Sequence, residues 1–294
     1  MVEAGFLEAL LVVAMHEEAR PLSRHLRLSA DDSARGFRCF RKDGTHLIVS
    51  GPGRERAGLA TAYGAARLAR PERAVFLNVG VAGSGLDPVA YPLGSVFLAH
   101  SISERLSGRR FFPSLAFAPP VATAGVVTCD EVETEYRDAV LFEMEASGFY
   151  SAARRFGTAE LIHSLKVVSD HAESPVGELD AASITACVEG ALSPTQKILD
   201  ELSRQALELD DSPAEALVSR WLVSHRLSKT LQRRLRTVAR RLLALGVDDC
   251  PPELSTEAEN GRAFVAKLES YVDELSVQAL ESRNAQRQDA GAPR

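Results

Sequence analysis

Phe142-Glu143-Met144-Glu145-Ala146 and, further on, Lys166-Val167-Val168-Ser169-Asp170-His171-Ala172 run a pair of acids into a helix start and then an apolar strand into an acid at its C-terminal end. Strand ends and the turns after them are where an α/β enzyme keeps its site. Each piece also has a plainer use. Ser169 and Asp170 suit the cap of a following helix, and of Glu143 and Glu145, two apart around a methionine, one acid can turn inward. Outward from these segments, short runs rich in Val, Ile and Phe alternate with Ala-rich amphipathic stretches up to about residue 170. That is the pattern of an α/β sheet with crossover helices. Strands are expected over Leu10 to Met15, Ala74 to Asn78, Ser95 to Ala99, Ala124 to Thr128 and Ser164 to Val168. A hairpin, Phe37 to Arg41 and His46 to Ser50, turns at Lys42-Asp43-Gly44, where glycine tolerates a positive φ. Helices over Glu55 to Ala69 and Glu143 to Phe156 complete this part.

Three more segments sit at such junctions. Ala14-Met15-His16-Glu17-Glu18-Ala19 closes the first strand and opens a helix, where acids in the first turn ordinarily compensate the helix dipole. Ser50-Gly51-Pro52-Gly53-Arg54-Glu55-Arg56 again joins strand to helix, with glycines that let backbone N–H groups approach a ligand. Asn78-Val79-Gly80-Val81-Ala82-Gly83-Ser84-Gly85 reads as a glycine turn after a buried strand. It fits neither the dinucleotide fingerprint nor the phosphate loop of nucleotide hydrolases.

Taken in order, Ala14 to Glu18, Ser50 to Gly53, Asn78 to Ser84, Glu143 to Ala146 and Val168 to Asp170 resemble the nucleoside phosphorylase and nucleosidase superfamily, over about residues 8 to 190. Within it the bacterial methylthioadenosine/adenosylhomocysteine nucleosidases are most similar. Glu143-Met144-Glu145-Ala146 with Ser169-Asp170 is the specific part. The resemblance implies a three-layer α/β/α fold with a mixed, partly closed sheet, cleavage of the N-glycosidic bond of a purine nucleoside, and a homo-oligomer. It makes Asp170 the acid on purine N7, with Ser169 orienting it. Glu145 would bind ribose hydroxyls, Met144 would pack on the sugar, and Glu18 would activate the attacking water. Ser50, Gly51 and Gly80 would line the substrate site, and no metal or cofactor is implied.

Some positions depart from the family. Asn78 and Val81 stand where phosphorylases put an Arg and a Ser on phosphate, which favours water as the acceptor. Arg54 and Arg56 could restore an anion site, so a phosphorylase with phosphate as co-substrate is the alternative. Val132 follows Cys129-Asp130 where the nucleosidases stack an aromatic residue on the base. The stretch Arg109-Arg110-Phe111-Phe112-Pro113 leaves the group on the sugar unassigned.

Past Asp170 strands give way to helices, so the chain divides into an α/β domain over 1–190, a helical extension over 191–281 and a disordered tail over 282–294. Ser193-Pro194-Thr195-Gln196 and Ser212-Pro213-Ala214-Glu215 are helix starts with capping-box spacing. Leu227 to Leu245 and about Thr256 to Leu280 carry apolar stripes, the first ended by Gly246. Between Glu215 and Asp248 there is no acid, while Arg220, Arg226, Lys229, Arg233, Arg234, Arg236, Arg240 and Arg241 accumulate. A basic face of this kind over residues 220–241 suits nucleic acid, an anionic partner or another subunit. Docking on the chain's own acidic surface is the preferred reading, since the net charge of −6 offers no global attraction for a polyanion.

The 294 residues, 45% hydrophobic and 25% charged, suffice for a full core. Four scattered cysteines match no zinc, redox or disulfide pattern and fit a reducing cytoplasm. The first apolar run, Leu7 to Met15, contains Glu8, lacks a basic leader and falls short of the roughly 20 residues of a membrane span, so neither export nor membrane insertion is expected. No histidine shows ligand spacing, and His171 alone adjoins a candidate site residue.

Overall fold

The computed structural model describes residues 8–174, 177, 179–208, 212–224, 227–251, 253–254 and 258–289. The order is β1 (Ala9–Val13), α1 (His16–His25), β2 (Ser29–Ala30), β3 (Arg38–Lys42), β4 (Thr45–Val49), α2 (Arg54–Ala65), β5 (Val75–Ser84), β6 (Val96–Glu104), β7 (Arg110–Phe111) and β8 (Ala122–Thr128). There follow β9 (Leu141–Glu143), α3 (Ala146–Ala153), β10 (Ile162–His171), α4 (Ala181–Gly190), α5 (Leu192–Glu208), α6 (Ser212–Ser224), α7 (Lys229–Ala244) and α8 (Gly261–Asp289). The chain forms two compact units, Met1–Leu209 and Asp210–Arg294.

In the first unit every residue of β1 is buried, as expected of a parallel strand covered on both faces. Its alternate residues serve different cores. Leu10 and Val12 pack with Ile48, Phe76 and residues of α2 and α3 such as Ala57, Ala60, Phe149 and Tyr150. Leu11 and Val13 pack with Leu47, Leu77, Leu22 of α1, and Ile198, Leu199 and Leu202 of α5. One sheet thus lies between two helical layers. The long strand β5 makes the sheet close. It pairs with β1 over Val75 to Asn78, with β9 at Gly83 and Ser84, and with β10 along its other edge. From β10 the ladder continues through β6, β8 and β9 back to β5, while β1, β4, β3 and β2 extend it outward.

Three boundaries differ from the sequence expectation. The glycine-bearing run after Asn78 is strand rather than turn through Ser84, because partners on both edges outweigh glycine's poor strand propensity. The helix expected from Glu143 starts at Ala146, since Leu141 to Glu143 are taken up as β9 between β8 and β5. The last helix continues to Asp289, well into the tail expected to be disordered from 282, and residues 290–294 of that tail lie outside the described residues. Nothing in Glu281 to Asp289 breaks a helix; Gly291 is the first breaker.

The second unit has its own core. Leu217 and Trp221 of α6, Leu235, Val238 and Leu242 of α7, and Phe264, Leu268 and Val272 of α8 are buried together. Trp221 meets the Phe264 ring edge-on, with centroids 6.2 Å apart, and its indole N–H donates to Asp249. Ser228 caps α7 through the Leu231 N–H, and Gly246, at φ 76°, follows its end. Among the described residues no helix is long and apolar enough to cross a membrane.

Candidate active site

Where the sheet closes, the ends of β5, β9 and β10 and the start of α1 surround a cavity of about 310 Å³. At the first of its polar points, α1 begins at Met15, and the Glu18 side chain folds back so that one oxygen accepts the N–H of Ala14 (2.7 Å) and of Met15 (2.9 Å). The other oxygen accepts the Val81 N–H from β5 at 3.0 Å. Helix capping, the plain use of an acid at this position, is therefore real, and it aims the carboxylate at the cavity. Burial pushes Glu18 above the ordinary value for a glutamate, against Lys166 and the backbone donors. Gly80 makes room: a Cβ there would lie 2.9 Å from the Glu18 carboxylate and 3.6 Å from Lys166 Nζ.

Next comes a network around β9. Glu143 accepts from Thr128 Oγ1 (2.6 Å), from the N–H groups of Glu145 (2.9 Å) and Ala146 (2.8 Å), and from Lys166 Nζ (2.8 Å). Both partners of that ion pair are buried. Burial pulls the Lys166 ammonium down, but Glu143, then Glu145 and Glu18, more than offset it and hold it above its ordinary value. Glu145 accepts one N–H, that of Gly53 at the start of α2 (2.8 Å). Burial, and then the neighbouring Glu143, push its carboxyl up to about 7.

Asp170 completes the set. A bulge in the β10–β5 ladder between Val168 and Asp170 throws Ser169 out of register and sets Asp170 opposite Gly83. Ser169 Oγ donates to Asp170 Oδ1 at 2.5 Å, and the Tyr136 hydroxyl donates to Oδ2. Glu18 and Asp170 both line the cavity, the first beside Gly80 and the second beside Gly83 of β5.

Of the residues expected from sequence, Glu18, Val132, Met144, Glu145, Ser169 and Asp170 all line this cavity, Val132 at its exposed rim, and Gly80 stands beneath Glu18. Ser50, Gly51 and Arg56 line an adjoining cleft that shares Ala14, Met15 and Pro52 with it. There Ser50 Oγ is engaged by the carbonyls of Val13 and Gly51. Arg54 is turned away, paired with Glu104 and, at 2.8 Å, with Asp130. Neither arginine expected to bind an anion lines the cavity. Sequence reasoning passed over Lys166 and Tyr136; a single lysine inside an apolar strand run was a visible signal for the first, and a loop tyrosine far along the chain offered none for the second. Among the described residues no group of His, Cys, Asp and Glu could hold a metal ion.

No protein-family model and no curated protein sequence matches this chain. Solved structures do. The 5'-methylthioadenosine nucleosidase of Arabidopsis thaliana superposes with a TM-score of 0.56 at 18% identity, covering 67% of this chain and 96% of that one. The Helicobacter pylori 5'-methylthioadenosine/S-adenosylhomocysteine nucleosidase, solved with butyl-thio-DADMe-Immucillin-A, gives 0.52 at 15% identity, over 67% and 100% of the two chains. Futalosine hydrolase of the same bacterium gives 0.52 at 16%, over 67% and 98%.

Proposed function

We propose that this chain, whose fold is that of the nucleoside phosphorylase and nucleosidase superfamily, hydrolyses the N-glycosidic bond of a purine nucleoside. One observation carries the proposal: Asp170, Glu18 and Glu145 converge on a single cavity whose described lining holds six carboxylates and no Arg, Lys or His. Such a lining suits a ribosyl group that develops positive charge as its bond to the base breaks. It repels an incoming phosphate.

In this reading Asp170 gives a proton to N7 as the bond between C1' and N9 breaks, so the bonding electron pair leaves on a neutral base. Glu145, poised near neutrality, holds the ribose hydroxyls, and Met144 packs on the sugar. Water adds to C1' and surrenders a proton to Glu18, whose raised pKa makes it the better base. The products are free base and ribose, and solvent returns the protons to their starting groups. Glu143 has no part in the chemistry, since four donors already occupy it. Phosphorolysis is less well served, since no Arg or Lys is in the cavity's described lining, Lys166 is held by Glu143 and Arg56 lines only the adjoining cleft.

The test is a panel of purine nucleosides incubated with and without phosphate, with free base quantified. Release without phosphate is the expected result. Release only with phosphate would make the chain a phosphorylase, and no release from any member would defeat the proposal.

A further inference from the structure

Tyr136 lies in the loop between β8 and β9, is buried, and donates its hydroxyl to Asp170 Oδ2. A buried phenol needs an acceptor, and any backbone carbonyl would serve. Four features show how much of the local structure is given over to this particular contact. Tyr136 sits at φ 44°, a left-handed conformation that a bulky side chain adopts at an energetic cost. A Cβ on Gly83 would come within 2.6 Å of both Asp170 Oδ2 and the Tyr136 ring, so β5 gives up a side chain where the two meet. Gly85 does the same for the loop itself, because a Cβ there would run into the backbone carbonyls of Asp138 and Tyr136. Phe142 of β9 then braces the ring edge-on, with centroids 6.1 Å apart.

Resting on the nucleosidase reading above, we infer that Tyr136 is a positioning residue: its phenol holds Asp170 so that the acid faces N7 of the base. Tyr136 does not itself line the cavity, whereas Asp170 does, so it acts through Asp170. With Ser169 on Oδ1 and Tyr136 on Oδ2, the carboxyl plane is fixed at both oxygens, and each oxygen keeps a second position at which the acid can carry the proton that it donates to N7. Cys187 of α4 also lies close enough to feel the Asp170 charge, but a thiol is a weak donor and cannot replace the phenol. Val132, at the exposed rim, offers the base no aromatic face at that position.

The full-length protein is titrated calorimetrically with adenine and hypoxanthine and with their 7-deaza counterparts, which lack the N7 acceptor. Wild type is expected to prefer at least one natural base by about tenfold, the size of a hydrogen bond to a charged or acidic partner. Tyr136→Phe is expected to lose most of that preference while binding the 7-deaza bases as wild type does, and to lower kcat far more than it changes KM. An undiminished preference in Tyr136→Phe overturns the inference and leaves the nucleosidase reading standing. A wild type with no preference for N7 removes Asp170 as its partner and defeats both. Ring-labelled tyrosine NMR of the wild type decides the matter even if the variant fails to fold. Tyr136 signals should move with adenine or hypoxanthine and stay put with 7-deaza bases; identical responses overturn the inference.

Discussion

Glu18, Glu143 and Glu145 share one buried ammonium, and they are not equivalent. Glu143 owns Lys166 directly, so Lys166→Met should strand a buried carboxylate without its counter-charge. A loss of about 3–5 kcal/mol in urea unfolding is expected, the range for breaking a buried pair from one side. Glu145 behaves differently. Its carboxyl binds a proton in the folded protein up to about 7, while the unfolded chain releases it near 4.5. The resulting stabilisation is present in full below 4.5 and disappears as pH rises through about 7, on the order of 3 kcal/mol across that window. Glu145→Gln, which can still accept the Gly53 N–H, should flatten this part of the stability curve. Unfolding midpoints measured across the window check it, and an unchanged slope would count against the buried, proton-binding Glu145. For activity, Asp170→Asn should cut base release by about 10²–10⁴-fold with folding intact, the contribution of a positioned general acid; intact release would sink the mechanism. At this scale the sequence was informative where chemistry clusters in short segments, as in Glu143-Met144-Glu145 and Ser169-Asp170. It was silent where partners meet only through folding, as Tyr136 meets Asp170.

Elements place these residues through a few close backbone contacts. α2 starts at Gly53, whose N–H binds Glu145, and α3 starts just after Glu145. The two helices cross where Gly58 faces Gly148: a Cβ on Gly58 would lie 3.3 Å from the Gly148 carbonyl, and one on Gly148 would collide with the Arg54 carbonyl. Gly148→Ala should therefore push the start of α2 away from Glu145. The expectation is a loss of about 1–3 kcal/mol from overpacking and a rise in KM larger than the change in kcat. A variant that unfolds earlier with unaltered KM would separate the helix crossing from the site. The strands show why boundaries were harder to read than elements. β1 announces itself as a continuous apolar run because both its faces are covered, and so does the second half of β4, Leu47 to Val49, whereas the buried β10 is interrupted by His163, Ser164 and Lys166. β9 has only three residues, too few for a period, and its Glu143 looks like a helix's first acid. In β5 the glycines that make room for Glu18, Lys166, Asp170 and Tyr136 are the same residues that argue locally for a turn. Pairing on both edges overrules them, and no local pattern reports that pairing.

At the scale of the molecule, α5 shows what periodicity leaves out. Its helical pattern was readable, yet the division of the chain falls at 209 and 210 rather than at 190, because Ile198, Leu199, Leu202 and Ala206 bury against the sheet's core. A stripe marks a face without naming its partner. The basic run of the second unit makes the same point with charge. Arg220 pairs with Asp249 (2.9 Å), Arg234 with Glu269 (2.5 Å), Arg236 with Glu215 (2.6 Å) and Arg241 with Asp273 (2.6 Å). The acids come from α6, from α8 and from the segment between α7 and α8, so the absence of acids within the run itself was no guide to its field. Each pair is partly exposed, so solvent screening and side-chain entropy leave it little net stabilisation, whereas a buried Leu or Phe of the same bundle contributes about 1.5–3 kcal/mol. The apolar stripe therefore holds the unit together, and the four pairs engage half of the eight cations of the run. Two outcomes follow for proteins cut at this division. Residues 1–209, which contain every proposed site residue, should release base with kcat/KM within a factor of about two of the full chain, as a domain with its own core can. Residues 210–294 should show no steep salt dependence in binding to duplex DNA or RNA, since the four cations already held by carboxylates release few counterions from a polyanion. A steep fall of affinity with salt in a gel shift would mean that nucleic acid displaces those carboxylates, and the helical unit would then have a binding role of its own beside the nucleoside site.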